Sequence, residues 1–225
     1  MKLDFGAVIE RWPMFVDGAI MTMELAVVAT TFGFLIGTAG ALAKRSASES
    51  ARRIATIYVE AIRNTPILVQ IFLVYFGLAS LGLKLPAFTV ALAALTINVG
   101  AYATEIMRAG FDSIPKGQIE AAECLALSRR QVYWHIMLRP AMEKVYPALT
   151  SQFVLLMLAS SVCSQISAEE LTAVSNFVQS DTYRPFETYA FVGAVYVLLS
   201  LAMRACLWGI GLVLFPRRRR LGVPL

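Results

Sequence analysis

Charged residues are scarce in this chain. Only 16% of its 225 residues are Asp, Glu, Lys or Arg, and 58% are hydrophobic. Soluble domains carry about 25% charged residues. This composition excludes an ordinary soluble domain and predicts a membrane protein.

Cysteine and histidine are also rare. The three cysteines, Cys124, Cys163 and Cys206, have no metal-ligand spacing and form no pair outside the membrane, so neither a disulfide nor a metal site is expected. His135 is the single histidine. The sequence also contains no GxxxxGK[ST] phosphate-binding loop, so any energy from ATP must come from a partner.

Long apolar runs are what the chain does have. About 20 apolar residues cross the hydrocarbon core of a bilayer, and the sequence predicts five spans, at about 18–43, 54–76, 86–107, 147–166 and 188–208. The first run differs from a signal peptide because its leader carries Asp4, Glu10 and Asp17. The expected fold is all-α and polytopic, a single transmembrane domain over 1–225.

The basic residues predict the orientation. Most of the 20 Lys and Arg follow the first, third or fifth span. Because basic residues favour the cytoplasmic side, the N-terminus is expected outside the cytoplasm and the C-terminus inside it. Arg217 to Arg220 then form an anchor for anionic lipid headgroups rather than a nucleic-acid site.

Two acid and base pairs lie near the cytoplasmic ends of predicted spans. Glu60 and Arg63, and Glu105 and Arg108, are each three residues apart and so share a helix face. They are either ion pairs that lock helix ends or parts of an inner gate that breaks and reforms.

Other polar residues within the spans are candidates for a substrate path. Small and polar side chains also hold membrane helices together, and the sequence does not separate these two roles. The candidates are Glu24, Gln70, Asn98, Tyr102, Gln152, Ser160 and Ser161.

The segment at about 108–146 is charged and has helical periodicity. Pro115 suits a helix start, and Ser128 with Gln131 has the spacing of a capping box. The pattern predicts two short helices with a break near Leu127. They form either an amphipathic hairpin on the membrane or a docking site for another protein, and the narrow, alanine-rich apolar face favours docking.

Four stretches of the sequence resemble those of a known protein family. The stretch IEAAECLALSRRQVYWHIMLRPAMEKVYPAL resembles the EAA loop of the membrane (permease) subunits of ABC importers, in the family that imports polar amino acids such as histidine, arginine, glutamine and opines. Three further stretches match in the expected order: EAIRNTPILVQIFLVYFGL, NVGAYATEIMRAGFDSIPKGQ and YRPFETY.

The resemblance implies a set of partners in the bacterial inner membrane. These are a second permease subunit, two cytoplasmic ATPase subunits, an extracytoplasmic solute-binding protein and a polar amino acid as substrate. ATP and Mg²⁺ would be bound by the ATPases, and this chain would bind no cofactor and catalyse no reaction. The residues that would couple to the ATPases are Glu120, Ala121, Ala122, Leu125, Ala126, Leu127 and Ser128.

The sequence departs from the family pattern at three places. Ala126 stands where a glycine is usual, which predicts either a left-handed residue that costs about 1 kcal/mol or a right-handed turn. Leu138-Arg139-Pro140 places its proline one residue late. Leu158-Ala159-Ser160 replaces a usual Lys-Asp-Thr, which predicts a non-identical permease partner that supplies more of the substrate contacts.

Two other function classes would account for part of this sequence. An intramembrane serine hydrolase using Ser160, Ser161 or Ser164 needs a general base nearby, and His135 lies in the cytoplasmic segment. A self-sufficient channel or secondary transporter explains the polar groups, but it leaves the capped cytoplasmic helices without a role.

Overall fold

The structure is a computed structural model that describes residues 3–215, and every regular element in that range is helical. The α-helices are α1 (Gly6–Ile9), α2 (Trp12–Lys44), α3 (Glu49–Arg63), α4 (Ile67–Ser80), α5 (Ala87–Asp112), α6 (Lys116–Cys124), α7 (Arg129–Gln131), α8 (Arg139–Ala159), α9 (Leu171–Thr182) and α10 (Pro185–Leu214). A π-helical stretch, Val132–Leu138, joins α7 to α8, and a 3₁₀ stretch, Ser160–Ile166, extends α8.

Four helical stretches are long and apolar enough to cross a membrane. They are Trp12–Lys44, Ala87–Asp112, Arg129–Ile166 and Pro185–Leu214. Helices α3 and α4 make a fifth span if the pair counts as one, although their axes are bent by 108°. The all-α, multi-span fold is confirmed, but the predicted second span, 54–76, is not a single helix.

The bend between α3 and α4 has a local cause. Pro66 has no backbone N–H, and a residue before proline disfavours the helical conformation. The last carbonyls of α3 are satisfied by side chains instead: Asn64 Nδ2 donates to Glu60 O at 2.9 Å, and Thr65 Oγ1 donates to Ala61 O at 2.8 Å. The break therefore leaves few backbone groups unpaired in an apolar setting.

The segment predicted as a loop with two short helices differs in its second half. Helix α6 ends near Leu125 as expected, but the next helix continues without interruption from Arg129 to Ile166. The π-helical stretch lies directly before Pro140, whose missing N–H removes one bond from the helical ladder. The second short helix is thus the first part of the fourth span.

Helices α2 and α5 run parallel and pack closely along a line of glycines. A Cβ atom added to Gly33 would lie 2.1 Å from Val99 Cγ1, and one added to Gly37 would lie 2.4 Å from Ala103 Cβ. Small residues of this kind let two membrane helices approach until their backbones touch. This pair forms the centre of the bundle.

Helix α2 also fixes the two ends of the bundle. Near its start, Thr22 Oγ1 accepts a hydrogen bond of 3.1 Å from Leu171 N, at the start of α9. At its end, Lys44 pairs with Glu105, in the last two turns of α5. At 1.5 Å per residue, α2 is roughly 50 Å long, so α9 and α6 lie at opposite ends, here called the α9 end and the α6 end. The basic run Arg217 to Arg220 lies outside the described residues.

Candidate functional site

Helix α6 presents most of the predicted coupling residues on the surface. Glu120, Ala121, Leu125, Ala126 and Ser128 are exposed, and Leu127 is half-buried. Leu125 is 75% exposed, so this surface presents a large apolar side chain as well as a charged one. The remaining member, Ala122, is buried and attaches the helix to the rest of the protein.

An open groove runs beside this surface. It is lined by Gln118, Ala121, Ala122, Leu125, Leu127, His135, Ile136 and Pro140. The groove lies between α6 and the first turns of the long helix that begins at Arg129. His135 is therefore a surface residue of this groove, with Nδ1 3.2 Å from Gln131 O.

The turn after α6 is left-handed at Ala126, where φ is 55°. Leu127 N donates to Ala122 O at 3.2 Å, and Ala126 N donates to Glu123 O at 2.9 Å. These are the two hydrogen bonds of a Schellman motif, in which the left-handed residue is usually glycine. The alternative of a right-handed turn is wrong: the chain keeps the geometry typical of glycine with an alanine.

The predicted capping box at Ser128 is present. Ser128 Oγ accepts a hydrogen bond from Gln131 N at 3.4 Å, and Gln131 Oε1 accepts one from Ser128 N at 2.9 Å. The two caps, at Ala126 and at Ser128, fix the angle between α6 and the following helix.

One of the two predicted ion pairs forms and the other does not. Arg108 Nη2 lies 2.8 Å from Glu105 Oε2. Among the described residues, Glu60 has no ionic partner, and the Arg63 guanidinium lies over the ring of Tyr102, 5.4 Å from its centroid. An aromatic face competes well for a cation where water is scarce, and Tyr102 on α5 is within reach of the end of α3. The Glu60 and Arg63 ion pair is therefore not formed here, and a role of these residues in a gate stays a prediction.

Two substrate-path candidates are joined to each other. Asn98 Nδ2 donates to Gln70 Oε1 at 2.9 Å, and both side chains are buried. Gln70 Nε2 in turn donates to Ile62 O at 2.8 Å and to Thr65 O at 3.0 Å, across the break between α3 and α4. In this conformation both amides bond within the protein, and any contact with a solute stays a prediction.

The remaining candidates are dispersed. Glu24 is exposed on α2, beside a shallow groove otherwise lined by apolar residues. Gln152 is half-buried. The hydroxyls of Ser160 and Ser161 donate to Met157 O and Leu158 O, at 2.6 and 2.8 Å. These serines are bonded to the backbone, and His135 lies 25 positions away on the same helical stretch, or roughly 35 Å by helical rise.

A polar cluster at the α9 end was missed by the sequence analysis. The Glu170 carboxylate is fully buried and accepts hydrogen bonds from Thr172 N, Ala173 N and the Tyr196 hydroxyl, at 2.9, 2.8 and 2.9 Å. It thus caps α9 and ties it to α10. Burial raises the pKa of the Glu170 carboxyl, and these hydrogen bonds offset part of that effect.

The charged residues of 169–186 differ in their surroundings. Glu169 is exposed, but Glu170 is buried because α9 needs an acceptor for its first N–H groups. Asp181 is paired with Arg11, and Arg184 lies 3.6 Å from Asp4. The α9 end is therefore joined to the N-terminal segment by ion pairs.

The described residues thus form a membrane bundle with one exposed short helix, α6, at its end. A family model described as "Binding-protein-dependent transport system inner membrane component" matches residues 17–220. The chain belongs to this family. It is therefore a multi-pass component of the inner membrane, and its bundle is a permease fold.

Several curated relatives match almost the whole permease chain. The probable glutamine ABC transporter permease protein GlnM of Bacillus subtilis is 34% identical over 86% of this chain and 90% of its own length. The octopine transport system permease protein OccM of Rhizobium meliloti is 32% identical over 95% of this chain and 92% of its own. The glutamine transport system permease protein GlnP of Escherichia coli is 31% identical, over 90% and 94%.

Solved structures agree with this assignment. A chain from the crystal structure of an amino acid ABC transporter with histidines is 37% identical and superposes with a TM-score of 0.86, covering 97% of this permease and 100% of that chain. A chain of the MetNI methionine ABC transporter in an inward-facing conformation is 19% identical with a TM-score of 0.76, over 91% and 97%. The second likeness shows the shared fold.

Proposed function

We propose that this permease is the membrane subunit of an ATP-driven importer of polar amino acids. The family, the amino-acid and opine names of its relatives and the structural likeness to an amino acid transporter support this function. The observation that carries it is the exposed surface of α6, with Leu125 and Glu120 outward on a helix that ends in a Schellman motif.

The proposal assigns the α6 end to the cytoplasm, as the distribution of basic residues indicates. Two ATPase subunits bind there, and they hold the ATP and Mg²⁺ that this chain does not bind. A second, non-identical permease subunit completes the path across the membrane. At the α9 end, outside the cytoplasm, a solute-binding protein delivers the amino acid.

The mechanism follows from how α6 is attached. When the ATPases close on ATP, they move α6, which is linked to α5 by only Ser113, Ile114 and Pro115. Ile114 is buried against the bundle, so the displacement passes into the spans rather than into a loose loop. The spans then move as a body between inward-open and outward-open states, which is alternating access.

The test is a charge reversal on α6. Glu120→Lys is expected to weaken or abolish retention of the ATPase subunits when the permease is purified from its native membrane, without loss of membrane insertion. Glu49→Lys is the matched control, because Glu49 is also an exposed acid but lies at the start of α3. Normal retention and normal transport in Glu120→Lys would refute the coupling role of α6.

A channel or secondary transporter is the alternative, and no observation on the described residues favours it. It would move solute without ATP and without α6. The experiment with Glu120→Lys separates the two, because only an ATP-driven permease depends on that surface.

A further inference from the structure

Five charged residues join the ends of α2 and α5 at the α6 end. Glu105 accepts hydrogen bonds from Lys44 Nζ at 2.5 Å and from Arg108 Nε and Nη2 at 3.0 and 2.8 Å. Arg108 Nη1 donates to Asp112 at 2.8 Å, and Asp112 also accepts from Arg45. These five residues are here called the α2–α5 charge cluster. Lys44, the last residue of α2, binds Glu105 on α5, and Arg45, which follows it, binds Asp112 on α5.

The Lys44 and Glu105 pair of the cluster differs from an ordinary surface ion pair in its burial. The side chains of Lys44 and Glu105 are only 15% and 17% exposed. By contrast, those of Arg52 and Glu49, paired within α3, are 47% and 76% exposed. Exposed pairs contribute little and are screened by salt, whereas removing one member of a partly buried network leaves its partner charged and unpaired.

A further contact holds the connection between α5 and α6, which directly follows Asp112 of the cluster. Lys144 Nζ, on α8, donates to Ser113 O at 2.7 Å, in the short connection between α5 and α6. Phe111 and Ile114, on either side of it, are buried in an apolar cluster with Ala141 and Val145 of α8. The connection before α6 is therefore held against α8 by apolar contacts and one hydrogen bond. Helix α2 is linked to α5 by the ion pairs of the cluster.

The location of the cluster explains why α2 needs it. The glycine contacts at Gly33 and Gly37 hold α2 against α5 along its middle, and those at Gly40 reach Thr104. Beyond Gly40 the interhelical hydrogen bonds are the ion pairs of Lys44 and Arg45. If these pairs were absent, apolar contacts such as those of Ala41 would have to carry the displacement of α5 to the end of α2.

We infer that the α2–α5 charge cluster transmits the displacement of α6 to α2, so that Lys44, Glu105 and Asp112 are positioning residues for the coupling of ATP hydrolysis to transport. The inference rests on the proposed function. It assigns these residues a role in the efficiency of coupling and none in binding the solute, the ATPases or the nucleotide.

The test measures the number of solute molecules transported per ATP hydrolysed, in the complete complex in proteoliposomes. Glu105→Gln keeps the shape of the side chain and removes its charge. We expect the transport-to-hydrolysis ratio to fall at least three-fold, with the ATPase subunits still bound and basal hydrolysis retained. Glu49→Gln, in the exposed pair on α3, is expected to leave the ratio unchanged.

A second pair of variants separates the interhelical link from the stability of α5. Lys44→Met removes the more buried of the two α2 links and leaves the more exposed pair of Arg45 and Asp112. It also keeps the Glu105 and Arg108 pair within α5, so it is expected to lower the ratio as Glu105→Gln does. Lys44→Arg keeps the charge and is expected to retain the ratio.

The outcomes are distinguishable. A ratio unchanged in both Glu105→Gln and Lys44→Met, whatever their melting temperatures, overturns this inference and leaves the proposed function intact. A complex without substitutions that shows no ATP-driven transport overturns both.

Discussion

Asn98 and Gln70 are joined by a buried hydrogen bond of 2.9 Å between the amide groups of α5 and α4. Gln70 extends this contact to the carbonyls of Ile62 and Thr65, the last residues before Pro66. One buried amide pair thus holds both the bend of 108° between α3 and α4 and the attachment of that bend to the centre of the bundle. These hydrogen bonds indicate that Gln70 and Asn98 form a structural joint, in the sense that they hold the three helices α3, α4 and α5 together.

Replacing Gln70 tests that joint. Gln70→Leu leaves Asn98 Nδ2 and Thr65 O without their partner, while Ile62 O still accepts from Thr65 Oγ1 at 3.3 Å. Each unsatisfied buried group costs about 1–3 kcal/mol. We expect a loss of at least about 2 kcal/mol of stability, measured by thermal unfolding of the detergent-purified protein.

Gln165→Leu is the matched control for this variant. Gln165 is exposed and has only a long contact of 3.4 Å with its neighbour Ser164, so little change is expected. If Gln70→Leu unfolds at the temperature of the unsubstituted protein but transports poorly, the residue belongs to the substrate path instead.

A substitution in the turn at Ala126 is expected to raise stability, whereas Gln70→Leu is expected to lower it. An L-residue in the left-handed conformation is less stable than glycine by about 1 kcal/mol, so Ala126→Gly is expected to stabilise the protein by up to about that amount. The same change inside α6, Ala121→Gly, is expected to destabilise it by about 1 kcal/mol. Chemical denaturation of the two variants in parallel measures both effects, and equal signs would contradict the left-handed turn.

Glu170 makes the stability of the folded protein depend on pH. Its pKa is raised in the folded protein by burial, so the folded state holds the proton more tightly than the unfolded chain does. The contribution to stability is therefore complete below the unfolded value of about 4.3 and is lost as the pH rises through the folded pKa.

Glu170→Gln removes this titration. We expect the melting temperature of the unsubstituted protein, relative to that of Glu170→Gln, to increase as the pH is lowered from about 8 towards the unfolded pKa. Glu169→Gln, at the exposed neighbouring position, is expected to show no such trend. A constant difference across this pH range would mean that burial does not raise the pKa.

Local patterns in the sequence predicted a good part of this structure. Apolar length predicted the spans, Ser128 and Gln131 predicted the start of the long helix, and three-residue spacing predicted the pair of Glu105 and Arg108. Each of these depends on residues within one or two helical turns of each other. For that reason they can be identified before the fold is known.

The features that sequence reasoning missed depend on distant partners or on competing local signals. The bend at Pro66 directly follows Arg63, Asn64 and Thr65, but the apolar residues on either side favoured one span, so hydropathy outweighed these residues and the proline. Lys44 donates a hydrogen bond to Glu105, 61 positions away in the sequence, and Glu170 accepts one from Tyr196, 26 positions away. The Arg63 guanidinium lies over the ring of Tyr102, on another helix, instead of pairing with Glu60. No spacing rule indicates such contacts, because packing of the helices creates them.

The central claim is that this chain is a permease driven by ATP through partner subunits. Its most direct test is the ATPase activity of the complex that co-purifies with the chain from its native membrane, measured with candidate polar amino acids and the solute-binding protein. We expect hydrolysis to rise when the binding protein is loaded with its amino acid, and to lose that response in Glu120→Lys. A chain that purifies alone and moves solute without ATP would contradict the account.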